Sequence, residues 1–266
     1  MININETTVY KNELNMIPMR KFNAVEMDLF FAICTKMKNM QLETIRFDFE
    51  DLKTLSNYSH RSLTRFVDDL EHVYDKMLHL TYCERSGLSF KKFILFTGYE
   101  VNAEEQFVEI SINPKLDHIL NNLSHEFTKF EFEEFTLLNS SYSKTLFRLL
   151  KQFRLTGYFK IHIDDFRERF DIPKTYQMND ITKRVLSPAS QELKDVFRNL
   201  TIKKLKARKG NKIEHLVFQF TPESKEITSN NGQNTHEDQS NTELHDAKAH
   251  YEQMLAERRQ KKSSQS

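Results

Sequence analysis

Apolar residues recur along this chain with two different periods, and the switches between them lay out its elements. Residues 23–38, NAVEMDLFFAICTKMK, place Val25, Leu29, Ala32 and Ile33 at helical spacing. ETIRFDF then reads as a short strand, and EDLKTLSNYS follows it. In SHRSLTRFVDDLEHVYDKML, residues Leu63, Phe66, Val67, Leu70, Val73, Tyr74, Met77 and Leu78 step by threes and fours. That rhythm predicts a helix with Ser59 as its N-cap, since a serine oxygen accepts a free backbone amide. Period-two stretches come next: LHLTYC, FKKFILFTGYEV and QFVEISIN, with ERSG as the first turn.

The second half repeats this order. Residues 140–157, SSYSKTLFRLLKQFRLTG, form an amphipathic helix that Gly157 should stop as an αL cap. YFKIHI reads as a strand, DDFRERFDI as a short helix and PKTYQM as a connector. In the next helix, residues 180–198, Ile181, Val185, Leu186, Ala189, Leu193, Val196 and Phe197 gather on one side. Lys183, Arg184, Ser187, Gln191, Lys194 and Arg198 gather opposite. Pro188 costs a hydrogen bond inside a helix, so it should mark a restart, with Ser187 as the new N-cap. NLTIKKLKARKGNKIEHLVFQF alternates on both sides of RKGNK and reads as a basic-tipped hairpin. Helix, strand, helix, helix, hairpin is the order of a winged helix, and it occurs twice. The reading is therefore an α+β fold: two tandem winged-helix domains, helix-rich with short β-hairpin wings, and a disordered C-terminal tail. The expected boundaries are 1–135, 136–222 and 223–266. The last segment is polar and poor in aliphatics, with a terminal stretch that could form a helix.

Composition narrows the chemistry. Gly and Pro number five each, which argues against glycine-rich phosphate loops, and no G-x-x-x-x-G-K-[ST] run exists. Two cysteines, Cys34 and Cys83, are too few for a metal site or a disulfide framework and suggest a reducing compartment. The ten histidines are scattered, with no H-E-x-x-H and no His-hydrophobic-His triplet. Asp164 and Asp165 are explained by a helix N-terminus, so no catalytic constellation, cofactor or metal is expected. No signal peptide or membrane-length apolar run stands out, and the expected location is the cytoplasm.

Charge is uneven. Residues 1–141 hold 15 Lys and Arg against 22 Asp and Glu, residues 142–212 hold 18 against 7, and residues 213–266 hold 6 against 9. A block at +11 in a chain of net +1 is the footprint of a surface that meets a polyanion. Within it the candidate contacts are Thr182, Lys183, Arg184 and Ser187 on the helix. Lys203, Lys204, Lys206, Arg208, Lys209 and Lys212 on the hairpin are uninterrupted by acids. A basic helix face alone is equally a solvated surface. The flanking hairpin tips the reading toward double-stranded DNA, with the helix in the major groove and the wing on phosphates. In the acidic first half the corresponding face is His60, Arg61, Ser62 and Arg65, either a weaker DNA contact or a dimer surface. Phe30, Phe31, Phe93 and Phe96 read as core, and Cys34 as a small buried hydrophobe.

The stretch from Tyr142 to Phe220 resembles the second winged helix of theta-type plasmid replication initiators, the Rep proteins that bind origin repeats called iterons. MIPMRKFNAVEMDLFFAICTKMK with FDFEDLKTLSNYS resembles their first. The resemblance spans about residues 10–220. It implies a monomer that binds iterons, and a dimer that binds an inverted repeat and represses its own gene. It also implies opening of an adjacent AT-rich stretch with recruitment of host initiator and helicase, without enzymatic activity. By position the family's base-reading helix falls on Asp180 to Leu186, with Lys183 and Arg184 as contacts. The rival reading is a winged-helix transcriptional regulator with no initiator role. A third is an interaction protein whose basic face binds an acidic partner.

Overall fold

The structure, a computed structural model, describes residues 6–19, 21–38, 44–86, 88–121, 123 and 126–224. It opens with a strand that periodicity did not reveal, β1 (Thr7–Lys11), whose Thr8 and Tyr10 are buried. A 3-10 turn (Asn12–Met16) leads to α1 (Ala24–Met37), β2 (Ile45–Asp48), α2 (Phe49–Leu55) and α3 (Leu63–Met77). Four strands follow: β3 (Thr81–Ser86), β4 (Ser89–Ile94), β5 (Phe96–Asn102) and β6 (Phe107–Ile112). A second 3-10 turn (Pro114–Ile119) precedes β7 (Phe127–Glu131), α4 (Phe132–Thr136) and α5 (Ser141–Gln152). The chain continues through β8 (Tyr158–His162), α6 (Ile163–Arg169), α7 (Met178–Ile181), a π-helical turn (Thr182–Leu186) and α8 (Ser187–Leu193). It closes with the hairpin β9 (Thr201–Lys206) and β10 (Ile213–Gln219).

Both halves build the same sheet. In one the strand order is β2-β6-β5, in the other β8-β10-β9, and every pairing is antiparallel. The strand between the first two helices thus pairs with the last strand of each half, and both halves are winged helices. Three strand-to-helix corners also share one pattern, at Asp48, Glu131 and His162. Each polar corner residue lies between two buried apolar ones, Phe47 and Phe49, Phe130 and Phe132, Ile161 and Ile163. Two acids follow in the first helical turn, where the free amides of the helix favour negative charge.

Several expectations need correction. Ser62, not Ser59, caps α3: its Oγ accepts the Arg65 amide at 3.3 Å. Ser56 and the left-handed Asn57 (φ 52°) first close α2, so the loop runs three residues longer. FKKFILFTGYEV is two strands in two sheets, because Leu95 and Phe96 are both buried and break the alternation. In the hairpin β3–β4 most of ERSG is strand and not turn, since β3 continues to Ser86, which pairs with Ser89. α5 ends at Gln152, well before Gly157. Gly157 does take a left-handed φ of 62°, but its role is a close approach: a Cβ there would sit 2.3 Å from the Phe220 carbonyl oxygen. Phe30, Phe31, Phe96 and Cys34 are buried as expected, while Phe93 is half-buried. The tail expected over 223–266, with its terminal helix, lies outside the described residues beyond 224.

Residues up to Pro222 form one compact unit, and α5 is why. Phe31 of α1 meets Phe135 at 5.1 Å between ring centres, and Phe135 meets Phe147 of α5 at 5.8 Å. Phe147 meets Phe197 at 5.9 Å, and Phe197 meets Phe220 at 4.9 Å. A relay of rings therefore runs from the first helix of one half to Phe220, just past the last strand of the other, mostly in the edge-to-face arrangements that ring quadrupoles favour. β1 pairs with β7 and closes this seam from the N-terminal side.

The same seam holds cations that the charge count assigned to a surface. Lys144 is fully buried and donates to Asp28 Oδ1 at 2.6 Å and to the Phe135 carbonyl at 2.7 Å. Arg148 lies 4.4 Å over the Phe31 ring and donates to Tyr10 Oη and the Leu14 carbonyl, both at 3.1 Å. Lys151 pairs with Glu134 at 2.9 Å, and Arg169 is buried near Met16. Four positive charges of the +11 block are thus structural. Burial pushes the Asp28 carboxyl up to about 7, although Lys144 pulls against that shift, and the same burial pushes Lys144 down.

Candidate nucleic-acid interface

The run from Met178 to Leu193 is helical throughout, so Pro188 does not restart it. Gln177 caps the start in a reciprocal box, its amide donating to Asp180 Oδ2 at 2.9 Å. Ser187 has helical angles (φ −67°, ψ −48°), makes no side-chain cap and donates its amide to the Thr182 carbonyl. That bond spans five residues instead of four. A proline at 188 has no N–H to give to the carbonyl four back and would crowd it; widening the turn by one residue removes the conflict. The expected N-cap at Ser187 is replaced by a π turn, and Ser187 stays exposed on the polar face.

The two faces of this run separate as the wheel indicated. Ile181, Val185, Leu186, Ala189 and Leu193 are buried, and Lys183 and Arg184 are exposed. Thr182 does not face outward freely. Its hydroxyl donates to the Met178 carbonyl at 2.7 Å and accepts from Lys204 Nζ at 2.7 Å. Thr182 and Lys204 therefore act as a strut that joins wing to helix and makes them one surface.

The wing is built on register. Lys203 pairs across with Val217 and Lys204 with Leu216, while the Ala207 amide donates to the Lys212 carbonyl at 2.9 Å to close the tip. Gly210 supplies a φ of 92° that a side chain would strain. Lys206 reaches back to Asn211 Oδ1 at 3.1 Å within the tip. Lys203, Arg208, Lys209 and Lys212 are exposed, and like that of Lys183 their side chains make no hydrogen bond or ion pair with any described residue. Five such cations on one helix-plus-hairpin surface take no counter-charge from the described residues.

Arg184 is the exception among the outward residues, and its neighbours were missed in the sequence. Its guanidinium carbon lies 5.2 Å from the Tyr176 ring centre, and Nη1 donates to Tyr176 Oη at 3.4 Å. Nε faces Asp180 Oδ1 at 4.0 Å. Tyr176 is itself held: its amide donates to the Pro173 carbonyl at 3.0 Å and its carbonyl accepts from Arg167 Nη2 at 2.7 Å. Tyr176 lies in the PKTYQM connector, where nothing in spacing indicates that the chain folds back against a residue eight positions on.

The first half offers less. His60 and Arg61 precede the helix instead of riding on it, and only Arg65 of that set lies in α3, in its first turn. His60 packs its ring edge-on against Tyr58 at 5.5 Å, and Arg65 lies beside the Tyr58 hydroxyl, which donates to Asp69 at 2.6 Å. Further along α3 the exposed residues are Asp68, Glu71, His72 and Asp75. The wing between β5 and β6 carries Glu104 and Glu105, the latter paired with Arg46 at 3.2 Å. These acids oppose a polyanion where the second half attracts one.

Among the described residues no group of three or more His, Cys, Asp or Glu side chains is placed to hold a metal ion. No helix among them is long and apolar enough to cross a membrane.

A basic helix braced against a basic wing, on a duplicated winged-helix scaffold, defines a class of nucleic-acid-binding protein. The comparisons give the family. Residues 7–151 match the family described as "Initiator Replication protein, WH1", and residues 162–220 match "Initiator Rep protein, WH2". The chain belongs to this family of replication initiators. A relative described as "Probable replication protein rep", from Bifidobacterium longum (strain NCC 2705), is 28% identical over 223 residues, which is 83% of this chain and 74% of the relative. Among solved structures, a Pi initiator protein in complex with iteron DNA superposes with a TM-score of 0.64. That likeness covers 84% of this chain and 99% of the other at 16% identity, and it confirms the double winged-helix fold.

Proposed function

We propose that this chain starts replication of a plasmid by binding double-stranded DNA repeats, iterons, at the origin. The observation that carries this reading is the set of cations unpaired among the described residues, Lys183, Lys203, Arg208, Lys209 and Lys212, on a helix and wing locked together by Thr182 and Lys204. The helix enters the major groove and the wing follows the backbone, as paired basic elements of this shape do. Family membership and the iteron DNA bound by the Pi protein support repeats at an origin as the target. The chain works through binding free energy without catalysis: several bound copies strain an adjacent AT-rich stretch, and host initiator and helicase load there. A second, dimeric form binds an inverted repeat and represses the chain's own gene.

Footprinting of the purified protein on the DNA flanking its gene, with salt varied, tests this. Protection of evenly spaced direct repeats is the expected result. Protection of a single inverted repeat over the promoter would replace the initiator reading with that of a transcriptional regulator. Uniform, salt-sensitive coating would reduce the face to a nonspecific polyanion surface.

A further inference from the structure

We infer that Tyr176 is a specificity-determining residue: it holds Arg184 in the one orientation that reads a guanine in the major groove. The inference rests on the reading of the basic face as a DNA surface. An arginine discriminates guanine when two parallel N–H groups meet O6 and N7 together. A free arginine on an exposed helix samples many rotamers, and fixing it on contact costs side-chain entropy. Arg184 is exposed but not free. Its guanidinium carbon sits over the Tyr176 ring, 5.2 Å from the ring centre, Nη1 donates to Tyr176 Oη at 3.4 Å, and Asp180 stands 4.0 Å from Nε. Tyr176 and Asp180 thus flank the guanidinium from two sides, at Nη1 and at Nε, and Nη2 makes no hydrogen bond with any described residue. One N–H on Nη1 and both on Nη2 stay open, enough for the paired bonds that a guanine edge takes.

The support for this orientation lies outside the helix. Arg167 of α6 and the turn at Pro173 hold the Tyr176 backbone at 2.7 and 3.0 Å, so the platform is anchored at its base from outside the helix. The hydroxyl contact at 3.4 Å is long, so the ring face supplies most of the hold. Lys183, beside it, has no such platform and contributes charge without base choice.

The test begins with selection of duplexes from a random library by the wild-type protein. Affinities of wild type, Arg184→Ala, Tyr176→Ala and Tyr176→Phe are then measured for the selected duplex and its single-base-pair variants. Wild type should lose about tenfold or more when one particular G·C pair is changed. Arg184→Ala should lose that preference, Tyr176→Ala should lose most of it, and Tyr176→Phe should retain it. Affinity for random DNA should change less than about threefold in either Tyr176 variant, since a phosphate contact would weaken every sequence alike. Thermal melts of each variant separate a lost preference from a lost fold; should Tyr176→Ala fail to fold, Tyr176→Leu, which keeps bulk without a π face, takes its place. A Tyr176→Ala or Tyr176→Leu protein that discriminates at that pair as well as wild type overturns the proposal and leaves the DNA surface intact. A selection that returns no motif for wild type overturns the DNA reading itself, and the proposal with it.

Discussion

The two winged helices of this chain have one topology and opposite surfaces. Both run helix, strand, helix, helix, hairpin, and both pair the early strand with the last. Yet the tip of one wing carries Glu104 and Glu105, and the tip of the other carries Arg208, Lys209 and Lys212. Past its first turn, the third helix of the first half exposes Asp68, Glu71 and Asp75, where its counterpart exposes Lys183 and Arg184. The inward positions, apolar in both, decide the fold. The outward positions, free to differ, decide what each half can touch. A shared architecture therefore does not predict a shared contact.

The comparison breaks most severely where the halves are joined. Phe147→Ala removes a ring that touches Phe130, Phe135 and Phe197, and should cost about 3–5 kcal/mol. Because those rings belong to both halves, chemical denaturation should show one transition moved as a whole; two separated transitions would mean that the halves have independent cores. Next in size is the contrast between the recognition faces. Replacing Lys183 and Arg184 together by alanine should lower affinity for the footprinted site by roughly a hundredfold, at about 1–3 kcal/mol for a good base contact. Arg61→Ala with Arg65→Ala should change it by less than about threefold. Equal losses, read by fluorescence anisotropy at fixed salt, would show that both halves grip DNA alike.

A smaller effect separates the wings. Alanine at Arg208, Lys209 and Lys212 should weaken binding to every sequence and flatten the salt dependence of log K by about 2.7, at 0.9 per lost phosphate contact. Lysine at Glu104 and Glu105 should do the reverse, and a titration across salt concentrations reads both. The smallest expected effect concerns pH. Asp28, held up to about 7 by burial, keeps its proton in the folded state over the range from about 4 to 7, where the unfolded chain releases it. Folding stability from this group is thus fullest at acid pH and declines as pH rises toward 7. Urea melts at pH 5 and 7 should show wild type losing more stability than Asp28→Asn over that interval.

Much of this was legible in the chain. The amphipathic steps of α1, α3 and α5 and the alternation of β9 and β10 report burial on one side, which is a local property and survives in sequence. β1 and β7 did not show, because each is five residues long and its partner lies far away: Thr7 pairs with Glu131. Lys144, Arg148, Lys151 and Arg169 were counted toward a surface because charge is visible in sequence and burial is not. The candidate face was legible in its residues but not in its arrangement. Thr182 and Lys204 are 22 positions apart, and only the folded hairpin reveals that each occupies the other. Pro188 signalled a disruption correctly, yet a one-residue widening absorbed it where a new cap had been expected.

The relay of rings through Phe147 also bears on how such a chain can diversify. A chimera that traded one half for another would have to match Phe130 and Phe135 to Phe147 across the join, along with the Asp28–Lys144 pair. The halves are not interchangeable cassettes. Positions 183, 184, 208, 209 and 212, by contrast, border nothing in the core and can drift one at a time without disturbing it. New DNA preferences in this lineage are therefore expected to arise by point substitution on the surface, with residues up to 222 inherited as a single block.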